Sequence, residues 1–295
     1  MSARAKSALP RERSELAGRA EGSTRIDDGP ERSEESVRRS APGVLSIVEH
    51  ELIDARRYWR GVVVAGLLTP LLYVLALGIG LGTVVNSHHN TLGVPYVQFV
   101  APAFLAAAAL QTAAASATFP VMAGFKWIRY FHGMAATPLT SRQICDGKLL
   151  WIALRTLASS TIYFAIMACF GAVHRWQGLL GILAATLTGL AFAAPVLAMS
   201  ASVEAEGQAF NILFRFVVTP MFLFSGTFYP ISQLPTWGRW LAHVSPLWHG
   251  TQLARGAAIG NLSDLAALGH VGYLLVWVLV GTALARWRFR VRLTK

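Results

Sequence analysis

Residues 178–202 read GLLGILAATLTGLAFAAPVLAMSAS and contain no Asp, Glu, Lys or Arg. A helix needs about 20 consecutive apolar residues to cross the hydrocarbon of a bilayer, and this stretch is long enough. The stretch therefore predicts a transmembrane helix.

Five other apolar stretches of similar length occur in the chain. With the first they are predicted to form six membrane spans: Gly61–Gly82, Val97–Gly124, Leu149–Val173, Gly178–Ser202, Ala209–Phe228 and Leu268–Ala285. Only 14% of the 295 residues are charged, against about 25% in an ordinary soluble domain. This composition disfavours a soluble enzyme and predicts an all-α polytopic membrane protein.

The N-terminal segment differs in composition from the rest of the chain. Residues 1–43 mix Arg, Glu, Ser, Gly and Pro with few large apolar side chains, and such a segment cannot bury enough apolar surface to fold. We predict that residues 1–43 form a disordered cytoplasmic extension and that residues 44–295 form the membrane domain.

The first segment of the membrane domain has a helical period. Residues 44–59 place Val48 and Leu52 on one face, and Glu49 and Arg56 on the other. An amphipathic helix just before a membrane span predicts an element that lies in the membrane interface.

Basic residues are distributed unevenly between the predicted loops. The N-terminal segment, the C-terminal tail and the loops on their side hold 21 Lys and Arg residues, whereas the opposite loops hold 3. Because basic loops stay in the cytoplasm, both termini are predicted to be cytoplasmic. The basic residues do not form a stripe interleaved with stacking aromatics, so we predict the lipid bilayer as a partner and no nucleic acid.

The cytoplasmic loop after the second predicted span is amphipathic. As a single helix, Phe125–Leu139 would place aromatic side chains on one side and basic side chains on the other. Thr137 and Pro138 would end this helix, and Thr140 with Gln143 forms a possible capping box for the next one. Such a helix could dock into the groove of a partner protein or rest on the bilayer, and composition leaves both open.

The segment between the fifth and sixth predicted spans is rich in apolar residues. Trp237, Trp240, Leu241 and Val244 follow a helical spacing, Pro235 can open this helix, and Pro246 can end it or start another. We predict short helices that dip into the outer leaflet or cap a pathway.

Two arginines fall inside predicted spans, Arg155 in the third and Arg215 in the fifth. Both lie near a span end, from which their side chains can reach the interface, and Arg215 could pair with Glu204 or Glu206. We favour structural pairing over contact with a substrate. No Asp or Glu lies in the middle of a predicted span, so the carboxylate relay of proton-driven pumps is missing.

Sequence motifs for catalysis and metal binding are also missing. Asp146-Gly147-Lys148 lacks the upstream glycine of a nucleotide-binding loop and is followed by Leu. Cys145 and Cys169 are the only thiols and have no second pair to complete a metal site. We predict no catalytic residue, metal site or cofactor in this chain. If the chain moves a solute uphill, the energy must therefore come from another chain.

Two other function classes remain as alternatives. An ion-gradient-driven secondary transporter or channel is disfavoured by the missing carboxylates. An intramembrane serine hydrolase could use Ser225 with His243, His249 or His270, but Ser225 lacks the preceding glycine of a nucleophile elbow.

Three groups of motifs occur together in a specific order. They are PLLY at 70–73 with GIGLG at 78–82, ATPL at 136–139 with Gly147-Lys148, and TPMFLFSGTFYP at 219–230 followed by LP at 234–235 and SPL at 245–247. With these motifs the chain resembles the membrane subunit of type-2 ABC exporters, and within them the nodulation-protein-J and daunorubicin-resistance permeases. The resemblance covers residues 44–295.

This resemblance implies a permease half with six spans that forms a homodimer or pairs with a paralogous permease. Each half would bind a separate ATPase chain, which holds ATP and Mg²⁺. Residues 44–59 would form an elbow helix before span one. About Phe125–Leu139 would form a coupling helix that docks on the ATPase, and about Pro230–Ala257 would form re-entrant helices near the outer exit.

The resemblance also identifies candidate site residues. Those for ATPase coupling are Phe125, Lys126, Trp127, Arg129, His132, Thr137, Pro138 and Leu139. Those of the exit-side helices are Ser225, Gly226, Pro230, Pro235, Trp237, Trp240 and Pro246. Family members often carry an acidic residue in the coupling loop, whereas the charged residues here are basic.

The function implied is export of amphipathic drug-like, lipid or lipid-linked glycan cargo across a bacterial cell membrane, with antibiotic resistance as one outcome. ATP binding would close the partner ATPases and push the coupling helices. That push would rearrange spans one, two and five at the dimer interface.

Overall fold

The computed structural model describes residues 40–57, 72, 74–83, 93–173, 176–203, 207–260 and 263–294. Regular secondary structure in this part of the chain is helical throughout, as predicted. The α-helices are α1 Ser40–Arg57, α2 Tyr96–Ala117, α3 Phe119–Lys126, α4 Tyr130–Ala135, α5 Ser141–Cys169, α6 Leu180–Ser200, α7 Gln208–Leu213, α8 Thr219–Phe224, α9 Thr236–Val244, α10 Pro246–Ile259 and α11 Asp264–Leu293. Shorter helical turns are π-helical at Val74–Leu81 and Phe214–Val218, and 3₁₀ at Trp176–Leu179 and Ile231–Gln233.

Four helices of the described chain are long and apolar enough to cross a membrane. They are Tyr96–Lys126, which joins α2 and α3, then Ser141–Cys169, Trp176–Ser200 and Asp264–Leu293. These four correspond to predicted spans two, three, four and six. The fifth predicted span is present as a shorter apolar helix, Gln208–Phe224. Most of Gly61–Gly82 lies outside the described residues, so the count of six spans stays a prediction.

α6 is the central helix of the described bundle. It packs against α2, α5, α10 and α11, and small residues line these contacts. At Gly189 an added Cβ would lie 2.9 Å from the carbonyl oxygen of Ala109 on α2. Close approach through small residues gives membrane helices their dispersion contacts, which explains why the Ala-rich helix α2 is largely buried.

α11 presents large apolar side chains away from the bundle. Leu268, Val276 and Leu279 are each more than half exposed. Such a surface favours aggregation in water but is the ordinary surface of a helix that faces lipid. The apolar helices therefore indicate an integral membrane protein.

α1 lies against the first turns of α5. It begins at Ser40, four residues before the predicted boundary, while residues 1–39 of the predicted extension lie outside the described chain. Ile47 is buried, whereas Leu45 and Leu52 are exposed. This apolar face, directed away from the bundle, fits a helix in the membrane interface, and that placement stays a prediction.

Candidate coupling and exit sites

The segment predicted as one coupling helix consists of two short helices with a bend between them. α3 ends at Lys126, α4 begins at Tyr130, and the intervening Arg129 has a φ of 58°. Within the described ranges it is the one non-glycine residue with a positive φ. The prediction of a single helix over Phe125–Leu139 is therefore wrong.

A buried aromatic cluster explains the bend. The ring of Phe131 lies 4.6 Å from that of Phe125 and 5.4 Å from that of Phe289 on α11, between centroids. In one straight helix, Phe125 and Phe131 would point about 120° apart, so the chain reverses at Arg129 to bring the rings together. Gly124 leaves the space, because a Cβ there would lie 2.6 Å from the Phe131 ring.

The bend divides the predicted apolar face into a buried and an exposed part. Phe125 and Phe131 are buried, whereas Trp127 and Ile128 are 59% and 69% exposed. The basic candidates lie beside these exposed side chains, at Lys126, Arg129 and His132. An exposed apolar and basic surface of this kind is suited to a partner protein or to the bilayer surface.

The turn after α4 leads directly into α5. Thr137 and Pro138 are exposed and Leu139 is half-buried. The predicted capping box is confirmed: the backbone N–H of Gln143 donates to the Thr140 hydroxyl at 3.3 Å, and that of Thr140 donates to the Gln143 side chain at 2.9 Å. The cap fixes where α5 begins and so where the candidate coupling segment ends.

One carboxylate connects α1, α4 and α5. Oε1 of Glu51 accepts hydrogen bonds from Nζ of Lys148 at 2.5 Å and from the Tyr130 hydroxyl at 3.3 Å. Burial, and after it the charge of Glu51, raises the pKa of Tyr130, so its hydroxyl stays protonated and donates. Sequence reasoning missed this cluster, because its members are 79 and 97 positions from Glu51.

A second ion pair connects α5 to α11. The guanidinium of Arg286 donates to both carboxylate oxygens of Asp146, from Nε at 2.7 Å and from Nη2 at 2.9 Å. This two-point geometry holds the guanidinium in one orientation. The candidate coupling segment therefore lies among helices that are connected to one another by polar contacts.

The segment after the fifth predicted span folds into short helices, as predicted. α9 follows Pro235 directly and α10 begins at Pro246, so both prolines start helices. The side chains of Trp237 and Trp240 are 62% and 71% exposed. Leu241 and Val244 are exposed as well, and the placement of this helix in the outer leaflet stays a prediction.

Arg255 joins these short helices to the rest of the bundle. Its Nε donates to the carbonyl of Phe99 on α2 at 3.1 Å, and its Nη2 donates to the carbonyl of Gly226 at 3.0 Å. The guanidinium also lies 3.7 Å from the centroid of the Phe99 ring. Sequence reasoning treated Arg255 as a loop charge and missed this role, because backbone carbonyls leave no charge pattern in the sequence.

The geometry gives no support to a serine hydrolase. The hydroxyl of Ser225 is buried and lies 2.8 Å from the hydroxyl of Ser245. His249 instead contacts His270, between Nδ1 atoms 2.8 Å apart, and the carbonyl of His243. Burial lowers the pKa of His249 to about 4, which makes it a weak base for activating a hydroxyl.

The two arginines in predicted spans differ in their surroundings. Arg155 on α5 is half-buried and lies within electrostatic range of Glu51. Arg215 is exposed within the π-helical segment. Glu204 and Glu206 lie outside the described residues, so their pairing with Arg215 stays a prediction.

An apolar cavity of about 410 Å³ lies between the fifth-span segment and its neighbours. Its walls come from α6, α7, α8, α9 and the indole of Trp277 on α11, with Ser225 and Ser245 also lining it. The volume falls within the range of about 300–1,000 Å³ for small-molecule sites. A hydrocarbon group would fit this lining better than a polar one.

The chain is similar to three bacterial proteins along most of its length. Nodulation protein J of Rhizobium leguminosarum bv. viciae is 31% identical over 78% of this chain and 90% of its own length. Nodulation protein J of Bradyrhizobium diazoefficiens is 31% identical over 80% of this chain and 90% of its own length. The inner membrane transport permease YadH of Escherichia coli K12 is 24% identical over 79% of this chain and 89% of its own length.

The profile of the ABC-2 type transporter family matches residues 43–259, which include α2 to α10. This match and the relatives confirm the resemblance inferred from the motifs. The chain belongs to the ABC-2 type transporter family, as a membrane subunit of a transporter.

Proposed function

We propose that this chain is the permease half of an ATP-driven exporter in a bacterial plasma membrane. It acts as a homodimer or with a paralogous permease, and both of its termini are cytoplasmic. A separate ATP-binding subunit supplies the energy, and this chain contributes no catalytic group. Membership of the ABC-2 type transporter family supports this proposal, and so do the contacts of the candidate coupling segment with neighbouring helices.

The contacts of the coupling segment support a mechanical role. Phe131 packs against Phe289 of α11, and Tyr130 donates to Glu51 of α1, which also holds Lys148 of α5. A displacement of α4 would therefore act on three other helices at once. Packed interfaces transmit such shifts because they switch between discrete arrangements rather than deforming continuously.

The proposed mechanism is a shift between two conformations of the bundle. When the partner subunits bind ATP they close and push α4, and the aromatic cluster carries this push to the spans. A ligand shifts such an equilibrium only as far as it binds the two states differently. The energetic input therefore lies in the partner, and this chain converts it into movement of its helices.

The apolar cavity beside the fifth-span segment supports the proposed cargo class. Its lining is almost entirely hydrocarbon, with hydroxyl groups at Ser225 and Ser245. This lining suits the apolar part of an amphipathic molecule, whose polar part would remain outside the cavity. We propose drug-like, lipid or lipid-linked glycan cargo on this basis.

Copurification followed by reconstitution tests the proposal. The full-length chain, isolated from its native membranes, is expected to bring an ATP-binding subunit with it. In proteoliposomes, the pair should move the compound that accumulates in a deletion strain, and only with hydrolysable ATP. Transport by this chain alone under an ion gradient would contradict the proposal and favour a secondary transporter.

A further inference from the structure

A small basic cavity of about 310 Å³ lies at the bend between α3 and α4. It is lined by Phe125, Lys126, Arg129, His132 and Arg292. Four of these five residues carry basic side chains, and Arg292 comes from the end of α11. The cavity therefore combines the candidate coupling segment with a helix that sequence reasoning did not assign to it.

Arg292 is held firmly at this cavity. Its guanidinium lies 4.7 Å from the centroid of the Phe125 ring. Its Nη1 donates to the carbonyl of Ala201 at 2.7 Å and to that of Val203 at 3.2 Å. α11 therefore contributes a fixed positive charge to the cavity, and a ligand does not have to order this side chain before binding.

The other basic groups of the cavity form no ion pair in the described part of the chain. Its ion pairs are Lys148–Glu51 and Arg286–Asp146, and neither involves Lys126, Arg129 or His132. Basic groups that share one cavity repel each other, and an entering anion would relieve that repulsion. Arg129 is moreover held in the left-handed region, a strained conformation that is often found at functional sites.

We propose that this cavity receives a carboxylate of the ATP-binding subunit, flanked there by apolar residues that pack on Trp127 and Ile128. The inference rests on the proposed function and specifies the chemistry of its partner. The basic lining suits an anion, and the exposed Trp127 and Ile128 suit an apolar surface next to it. An acidic residue between apolar ones on a folded subunit would fit both.

Membership of the ABC-2 type transporter family favours the ATP-binding subunit over a lipid headgroup as the source of the anion. The cavity lies at the predicted cytoplasmic ends of spans two, four and six. Lys126 follows Gly124 by two residues, Arg292 donates to the carbonyl of Ala201, and Arg292 follows Ala285 by seven residues of continuous helix. A cytoplasmic subunit can reach this position, and the experiment distinguishes it from a lipid headgroup.

The test measures the affinity of the full-length permease for the ATP-binding subunit that copurifies with it. The double variant Lys126→Glu, Arg129→Glu is expected to lower this affinity by about tenfold or more. Its affinity should also depend less on salt, because the screened attraction is gone. Lys126→Gln alone should give a smaller loss in the same direction, with unchanged thermal unfolding. Arg290→Glu, an exposed basic residue on the same end of α11 but outside the cavity, is the matched control and should bind normally.

A photoreactive side chain at position 129 identifies the occupant directly. It should cross-link to a peptide of the ATP-binding subunit that contains Asp or Glu, and changing that residue to Lys should restore binding to the double variant. Equal affinity of the wild type and the double variant would overturn the docking inference and leave the proposed function standing. If no ATP-binding subunit copurifies, the docking inference and the proposed function both fail. In nanodiscs of phosphatidylglycerol and phosphatidylcholine, the double variant could instead retain less phosphatidylglycerol than the wild type while it binds the ATP-binding subunit equally well. The cavity would then be a lipid site, and the inference would again be overturned.

Discussion

Nζ of Lys148 lies 2.5 Å from Oε1 of Glu51, where α1 packs on the first turns of α5. The lysine side chain is 3% exposed and the glutamate side chain 12% exposed, so water solvates neither charge well. A buried ion pair contributes little net stability relative to apolar residues of the same volume, but the loss of one partner leaves an unpaired buried charge. The pair therefore specifies where α1 docks more than it strengthens the bundle.

Glu51→Gln is expected to destabilise the protein by about 3 kcal/mol, because Lys148 would remain buried without its counter-charge. Thermal unfolding of the detergent-purified full-length chain measures this change. The apolar double variant Glu51→Leu, Lys148→Met should recover part of the stability, because only the Tyr130 hydroxyl then lacks its acceptor. Glu49→Gln, which removes an exposed carboxylate one position from His50, is the control. If Glu51→Gln unfolds like the wild type, the pair does not hold α1 in place.

Phe131→Ala should unfold the coupling segment, whereas Trp127→Ala should not. Phe131 is fully buried between two aromatic rings, and truncating such a residue costs about 3–5 kcal/mol. Trp127 is mostly exposed, so its truncation should leave thermal unfolding unchanged and weaken only binding of the ATP-binding subunit. The same loss of stability in both variants would show that Trp127 is packed within this chain.

Local signals predicted much of the fold. The four long helices follow from apolar runs that only a bilayer or a protein interior can accommodate. The starts of α5, α9 and α10 follow from the Thr140–Gln143 box and from Pro235 and Pro246. These features depend on residues within a few positions of each other, so one sequence is enough to read them.

Tertiary contacts determine the features that were missed. The bend at Arg129 depends on Phe131 packing against Phe289, which is on another helix far along the chain. Arg255 is buried because two carbonyls from different segments accept its hydrogen bonds. A helical period at positions 125–139 carries no information about Phe289, so the pattern predicted one helix through the bend.

Arg255→Met should destabilise the protein by about 1–3 kcal/mol, because the carbonyls of Phe99 and Gly226 would lose a buried donor. Arg255→Lys should recover little, since an ammonium group cannot reach two carbonyls with the geometry of a guanidinium. The control is Arg239→Met, whose guanidinium donates to nearby carbonyls of its own segment at the surface. The unfolding temperature of Arg255→Met should be well below that of Arg239→Met. The reverse order would show that Arg255 does not link these short helices to α2.

Ser225→Ala should leave ATP-driven transport intact, because the Ser225 hydroxyl pairs with Ser245 rather than with a catalytic base. Removing one hydroxyl of a buried pair leaves the other without its partner and costs about 1–3 kcal/mol. The double variant Ser225→Ala, Ser245→Ala should be closer to the wild type in thermal unfolding than either single variant. Transport lost in Ser225→Ala, with normal unfolding and normal binding of the ATP-binding subunit, would revive the hydrolase interpretation.

Val217→Trp should block cargo if the apolar cavity holds the hydrocarbon part of the transported molecule. Val217 lines the cavity and is 40% exposed, so an indole can enter the space without displacing the core of α6. We expect ATP-driven transport in proteoliposomes to fall by about tenfold or more, with unchanged binding of the ATP-binding subunit. Val276→Trp places the same ring on the exposed face of α11, outside the cavity, and should transport normally. Equal transport by the two variants would show that cargo does not pass through this cavity, because a filled cavity cannot also admit a hydrocarbon chain.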